Sequence, residues 1–249
     1  MFKPNKIKNP SDRVVLYGRH ATFEALKNPL RKIQKVLITA ENEAELKKDF
    51  SEISYQIVQK KEIEKILPPN AVHQGFALFT KPLAPVFLED LLQASSHKEK
   101  CVVLILDQVT DPQNIGAIMR SAAAFNAAGI IVQDKNAPLE TGAMAKASAG
   151  TIEFMPLIRA TNLSRAIEQL KKAGFWVIGM DGYATQSLKD INKNAKIAVV
   201  MGSEGAGMRR LIQESCDLTV RLEMNPRVES LNVSVAAGIV LYELSSIVA

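Results

Sequence analysis

Cysteine and histidine are scarce in this chain, and their scarcity removes whole classes of chemistry. Only two of the 249 residues are cysteine, Cys101 and Cys216. They stand far apart and in no metal-ligand spacing, so they read as free thiols, and no metal is expected. The three histidines, His20, His73 and His97, all lie in the first hundred residues. Whatever the rest of the chain does, it does without an imidazole base. No run of about 18 apolar residues exists, so no membrane-spanning helix is expected. The opening MFKPNKIKNPSDR has no apolar h-region and does not read as a signal peptide. A cytoplasmic protein is the resulting expectation. There are no repeats or low-complexity tracts. Neither G-x-G-x-x-G nor a Walker glycine-lysine loop occurs, which argues against a generic nucleotide-binding α/β enzyme.

The composition is that of a globular protein. Hydrophobic residues make up 47%, the formal net charge is +5 and the pI is about 9.1. A mild basic excess favours an anionic partner, with nucleic acid the first candidate. Residues 1–11 read as a disordered basic arm. From 12 to 81 short strands (Lys35–Thr39, Tyr55–Gln59, Gly75–Thr80) alternate with helical stretches (Tyr17–Lys27, Glu41–Glu52, Lys61–Leu67), the last stopped by Pro68 and Pro69. That pattern predicts a small α/β domain. Residues 82–99 are proline-containing and polar, apart from a possible short helix over Phe87–Gln93, and read as a linker. A stronger α/β pattern fills 100–249. CVVLIL (Cys101–Leu106), GIIVQ (Gly129–Gln133), FWVIGM (Phe175–Met180), KIAVVMG (Lys196–Gly202) and DLTVRL (Asp217–Leu222) are strands. Asn114–Ala128, Leu163–Ala173, Met208–Glu214 and Val233–Ile247 are helices. Taken strand by strand, this predicts a plain doubly wound sheet.

Three blocks carry polar residues where open α/β sheets bind ligands. The first, LDQVTDPQNIGAIMRSAAAFNAAGIIV (Leu106–Val132), offers Asn114 and Arg120. Six residues on one helix are about 1.7 turns, which is not one face, so a shared site requires Asn114 in the loop. The second, MGSEGAGM (Met201–Met208), is a glycine turn containing Glu204, a poor neighbour for phosphate and a tolerable one for a cation. The third, LEMNPRVESLNVSVAAGIVLYEL (Leu222–Leu244), places Ser230, Asn232 and Ser234 at a helix start. Taken singly, the blocks read as a capped helix, a glycine turn and another capped helix.

Taken together and in this order, DPQNIGAIMRSA, MGSEGAGM and SLNVSVAAGIVLYE resemble the motifs of the SpoU/TrmH ribose 2'-O-methyltransferases of the SPOUT superfamily. KASAGTIEFMPLIRATNL (Lys146–Leu163) fits the same likeness. YGRHATFEAL (Tyr17–Leu26) and AVHQGFAL (Ala71–Leu78) resemble the RNA-binding domain that precedes this catalytic domain. The resemblance implies an α/β catalytic domain with a trefoil knot, a homodimer whose sites are completed at the subunit interface, and S-adenosylmethionine as methyl donor. It places cofactor contacts at Gly202, Leu222, Met224, Ser230 and Leu231. It assigns Asn114, Arg120, Glu204, Ser230 and Asn232 to RNA binding, catalysis or site architecture. It also implies attack of an RNA ribose 2'-hydroxyl on the donor's methyl, on a guanosine of 23S rRNA. The same chemistry on tRNA and a non-catalytic RNA-binding homologue are the competing readings.

The family scheme makes Arg120 the base, assisted by an RNA phosphate. A guanidinium is essentially never deprotonated, and a phosphate stabilises its charged form. The alternative is that Arg120 holds the phosphate and steadies the alkoxide while the proton leaves to phosphate or water. In the third block, Glu223 stands where the family has proline and Pro226 where it has glycine. Arg13, Arg19, Lys27, Arg31, Lys32 and Lys35 are candidates for following an RNA backbone.

Overall fold

The computed structural model describes residues 13–193 and 195–245; the basic arm expected over 1–11 lies outside them. In chain order the elements are β1 (Val14–Tyr17), α1 (Arg19–Lys27), β2 (Ile33–Ile38), α2 (Glu43–Asp49), β3 (Gln56–Ile57), α3 (Lys60–Glu64), β4 (Phe76–Thr80), α4 (Leu88–Ser95), β5 (Cys101–Leu106), α5 (Pro112–Ala124), β6 (Gly129–Gln133) and α6 (Gly142–Ala147). There follow β7 (Leu157–Ala160), α7 (Leu163–Lys172), β8 (Phe175–Met180), β9 (Gln186–Ser187), β10 (Lys196–Met201), α8 (Arg210–Glu214), β11 (Leu218–Arg221) and α9 (Val233–Ser245). The chain divides into two compact units. One takes the described residues through Ala84 together with Leu139–Glu153; the other takes Pro85–Pro138 and the residues from Phe154 onward.

The first unit has a four-stranded sheet in the order β1-β4-β2-β3, antiparallel except for the β2–β3 pair. VVLY, whose Tyr17 was expected to open the helix, forms β1 and pairs with β4. Its turn into α1 passes through Gly18 at φ 88°, a conformation that suits glycine. Phe23 of α1 meets Phe50 and Phe76 edge-on, with ring centroids 5.3 and 5.5 Å apart. The segment 139–153, which lies within the contiguous 100–249 stretch, instead packs in this unit. A Cβ on Gly142 would lie 2.3 Å from the Val15 carbonyl oxygen, so α6 fits against β1 only because glycine stands there.

The second unit has seven strands in the order β7-β6-β5-β10-β8-β11-β9, with every neighbouring pair parallel. CVVLIL is buried at all six positions, as a strand covered on both faces must be. Helix α5 begins two residues before the expected Asn114, because Pro112 occupies its first turn and the Asp111 side chain accepts the Gln113 N–H. Helix α7 stops before Gly174 at φ 84°. Within the stretch 82–99, α4 falls on the short helix expected there and contributes Leu88 and Leu91 to the core of this unit. Helices α5 and α9 pack together, with Phe125 and Tyr242 in an edge contact at 5.8 Å.

Candidate functional site

The polar groups of the second unit collect at the carboxyl edge of its sheet. Asp107 follows β5, is fully buried, and donates its N–H to the Met201 carbonyl oxygen at 2.8 Å. Its carboxylate accepts hydrogen bonds from the Arg209 backbone N–H at 2.8 Å and from Nε at 2.9 Å, and Nη2 completes the ion pair at 2.7 Å. Met201 and Arg209 bracket the glycine turn, so one buried residue, Asp107, fixes both ends of the turn, Met201 with its backbone N–H and Arg209 with its carboxylate. Sequence reasoning passed over this pair, although an aspartate directly after a fully apolar strand was the available signal.

Within the turn, Ser203 and Gly207 exchange both backbone hydrogen bonds, at 3.1 and 3.0 Å. Gly205 and Gly207 adopt φ 78° and 66°. A Cβ on Gly202 would lie 2.2 Å from the Gly207 carbonyl carbon. These glycines therefore have reasons internal to the turn, before any ligand is considered.

The turn presents Glu204, whose Oε1 accepts from the Val233 N–H at 3.0 Å and from Asn232 Nδ2 at 2.5 Å. The carboxylate thus sits at the amino end of α9, where the helix dipole favours negative charge. Asn232 caps that helix: its Oδ1 accepts from the Ser234 N–H at 2.9 Å and from Ser234 Oγ at 2.5 Å. Asn232 Nδ2 also donates to Asn114 Oδ1 at 3.1 Å. Asn114, Glu204 and Asn232, far apart in sequence, form one hydrogen-bonded cluster, and the Asn114 amide group remains available as a donor.

Two predicted residues stand outside this cluster. Asn114 lies in α5 rather than in the preceding loop, so Arg120, six residues on, leaves the helix from a different face and is exposed. Ser230 is exposed in the loop before α9 and forms no hydrogen bond with a described residue. Capping accounts for Asn232 and Ser234 but not for Ser230.

Next to the end of β11 lies a cleft of about 120 Å³. Leu222, Met224 and Leu231 line it, as do Ile239, Lys189 and Glu223; Gly202 and Ser230 do not. Lys189 pairs with Glu223 at 2.9 Å. The hydrogen bond and charge of Lys189 hold the Glu223 carboxyl below its ordinary range. Glu223, the departure from the family pattern, is therefore part of the cleft wall.

In the first unit Arg31 is corrected from an RNA-facing cation to a buried one. Its guanidinium gives two bonds to Glu153, at 2.9 and 2.6 Å, and one to Glu140 at 2.6 Å. Arg19 pairs with Glu45 at 2.5 Å, and Arg13 stacks over Phe79 at 3.9 Å. Lys32 and Lys35 are exposed. His73 is buried, with Nδ1 accepting from the Gly75 N–H at 3.1 Å, and burial pushes its pKa down. Burial likewise raises both free thiols, Cys216 to about 11. Among the described residues no group of three or more His, Cys, Asp or Glu is placed to hold a metal ion, and no helix is long and apolar enough to cross a membrane.

Residues 101–242 match the SpoU rRNA Methylase family, and residues 15–86 match the RNA 2'-O ribose methyltransferase substrate binding family. A protein of Bacillus subtilis, assigned to the TrmH family of tRNA/rRNA methyltransferases (YacO), is 39% identical over 91% of this chain and 93% of its own. An AdoMet-bound rRNA methyltransferase from Sinorhizobium meliloti superimposes with a TM-score of 0.78 at 22% identity, covering 96% of this chain and 88% of its own. A TrmH/SpoU tRNA modifying enzyme from A. aeolicus superimposes with a TM-score of 0.53 at 23% identity, covering 64% of this chain and 81% of its own.

Proposed function

Because this chain belongs to the SpoU methylase family, we propose that it transfers a methyl group from S-adenosylmethionine to a ribose 2'-hydroxyl of RNA, at a guanosine of 23S rRNA. The observation that carries this reading is the joining of Asn114, Glu204 and Asn232 beside a cleft walled by Leu222, Met224 and Leu231. All three motif blocks meet there.

The cleft suits a nucleoside with a cationic tail. Leu222, Met224, Leu231 and Ile239 give it an apolar wall, and Glu223 and Glu243 supply carboxylates beside Lys189 and Arg221. Its volume is below the roughly 300–1,000 Å³ of typical small-molecule sites, so it takes one part of such a ligand. When bound, S-adenosylmethionine supplies a methyl group on a sulfonium. The backbone at Gly202, Leu222 and Leu231 would hold that donor, with Met224 and Ser230 as neighbours. Asn114 offers its amide N–H groups to the RNA, while Glu204 and Asn232 keep Asn114 in place. Arg120 holds an RNA phosphate and steadies the developing alkoxide, and the 2'-hydroxyl proton leaves to phosphate or water. His97, the only histidine after residue 84, precedes β5 and so belongs to the opposite edge of the sheet.

The working molecule in this reading is a cytoplasmic homodimer. Arg120 leaves α5 away from Asn114, which suits a group that completes the partner subunit's site. Val235, Ile239 and Tyr242 form an exposed apolar stripe on α9 at helical spacing, and we assign it to that interface. The stretch from β10 to α9 is taken to thread a trefoil knot, a rare exception to unknotted topology. In its support, β10 inserts between β5 and β8, and α9 returns to pack on α5. Residues 12–81 serve RNA binding and 100–249 catalysis. The substrate-binding match favours rRNA over tRNA, since the tRNA modifying structure spans a smaller share of this chain.

Mapping 2'-O-methylation on total RNA from cells with and without the gene tests the reading. Loss of one 23S guanosine methyl supports it. Loss of a tRNA methyl moves the substrate to tRNA. No change, with no donor binding by calorimetry, leaves a non-catalytic RNA-binding protein.

A further inference from the structure

Tyr183 is 92% exposed. A single exposed apolar side chain is ordinary in itself; what sets this one apart is how firmly its backbone is held. The turn Asp181–Thr185 follows β8 at the same carboxyl edge as the glycine turn. Asp181 Oδ1 accepts the Tyr183 N–H at 2.9 Å, and the Ala184 N–H donates to the Asp181 carbonyl oxygen at 3.1 Å. Gln213 of α8 donates to Asp181 Oδ2 at 2.9 Å. Arg221 Nη1 donates to the carbonyl oxygens of Ala184 and Thr185, each at 2.5 Å. The side chain of Ala184 is buried beneath. These bonds hold the backbone of the turn, and the ring it carries stands in water.

Arg221 also lines the cleft, so the turn and the cleft share a structural member. Tyr183 itself is not part of the cleft wall, which separates its role from that of holding the donor. Resting on the reading above that this chain methylates RNA, we infer that Tyr183 is a stacking platform for an unpaired base of the RNA substrate next to the methylated nucleotide. Exposing a ribose 2'-hydroxyl to a protein site unstacks neighbouring bases, and aromatic rings take up the lost stacking irrespective of base identity. A rigid turn offers that ring with little further ordering on binding.

The test uses the full-length protein with Tyr183→Ala, Tyr183→Leu and Tyr183→Phe. RNA extracted from cells lacking the gene is the substrate, and donor affinity is measured separately by calorimetry. Stacking on this scale predicts that Ala and Leu raise the apparent KM for RNA roughly 5- to 100-fold. Phe stays near wild type, and donor affinity is unchanged in all three. Because the ring is exposed, none of the variants should lose folding stability. Leu behaving like Phe would reduce the role to apolar contact and overturn the inference. Weakened donor binding in the Ala variant would move the ring onto the donor and overturn it too, as would an unchanged KM in all three. If the wild-type protein itself methylates no RNA, the functional reading fails first, and that result is distinct from an active enzyme indifferent to Tyr183.

Discussion

Replacing Glu204 separates the structural and chemical parts of the site. Its carboxylate accepts the Val233 N–H at the start of α9 and the amide of Asn232. Losing a helix-start acceptor costs about 1 kcal/mol. Losing the favourable charge at the amino end adds about 0.3–1 kcal/mol, and losing the Asn232 bond adds about 0.5–1.5 kcal/mol. Glu204 is exposed, so water recovers part of this, and the alanine variant should lose about 2 kcal/mol. For a domain of this size that is a fall in Tm of roughly 4–8 °C, readable by scanning calorimetry. Activity should fall further than stability. Without Glu204, Asn232 is free to turn and Asn114 loses its fixed direction; misplacement of about 1 Å costs on the order of 100-fold in rate. Glu204→Gln keeps one acceptor oxygen and loses the charge. It should stay within about 1 kcal/mol of wild type and within roughly tenfold in rate. An alanine variant with wild-type Tm would refute the account of the helix start. A glutamine variant as inactive as alanine would show that charge at this point, not hydrogen-bond geometry, is what the reaction uses.

Three other outcomes follow from the geometry. Arg31→Met strands Glu153 and Glu140 in the first unit and should cost about 3–5 kcal/mol, while the salt dependence of RNA binding by the remaining folded protein stays unchanged; a reduced salt slope would restore Arg31 to the RNA surface. Burial raises the Glu140 carboxyl above its ordinary 4.5 despite the opposing pull of Arg31. The native state therefore keeps a proton that the unfolded chain has already shed, and this group's contribution to stability falls as pH rises from about 4.5 through the raised value. Urea melts across that window should show the slope in wild type and a flatter one in Glu140→Gln. Mixing Arg120→Ala with Asn232→Ala subunits should restore about a quarter of the wild-type rate, because half of the random dimers carry one intact site; no recovery on mixing would place Arg120 in its own subunit's site.

Five of the seven strands of the second unit were legible because parallel strands buried on both faces write themselves as continuous apolar runs; the edge strands β7 and β9 were not. Elements that depend on partners elsewhere were not. The six-residue α6 has no apolar period of its own and exists because Gly142 fits against β1. β1 itself is four residues long and needs β4 to be recognised, and β9 is only two residues long. Arg31 read as one more surface cation because its two carboxylates lie more than a hundred positions away. At the site, Asn114, Glu204 and Asn232 were legible as a set, since each had a bland local explanation when taken alone. Their connection through Asn232 Nδ2, and the buried Asp107–Arg209 pair beneath the turn, are tertiary facts that no local pattern encodes.

The first unit is sewn from two separate stretches of chain, and this bears on how such a protein can be rearranged. A fragment cut after residue 84 would leave Arg31 in an apolar interior without either counter-charge and would expose the surface of β1 that α6 covers. It should not fold as a free-standing module. A gene fusion that exchanged the leading residues for those of another binding domain would strand Leu139–Glu153, with its two acidic side chains, in the body of the enzyme. The two parts can therefore be traded between proteins only if the inserted segment changes with them, and new RNA specificities should arise more readily by substitution on the surface of this unit than by replacement of the whole.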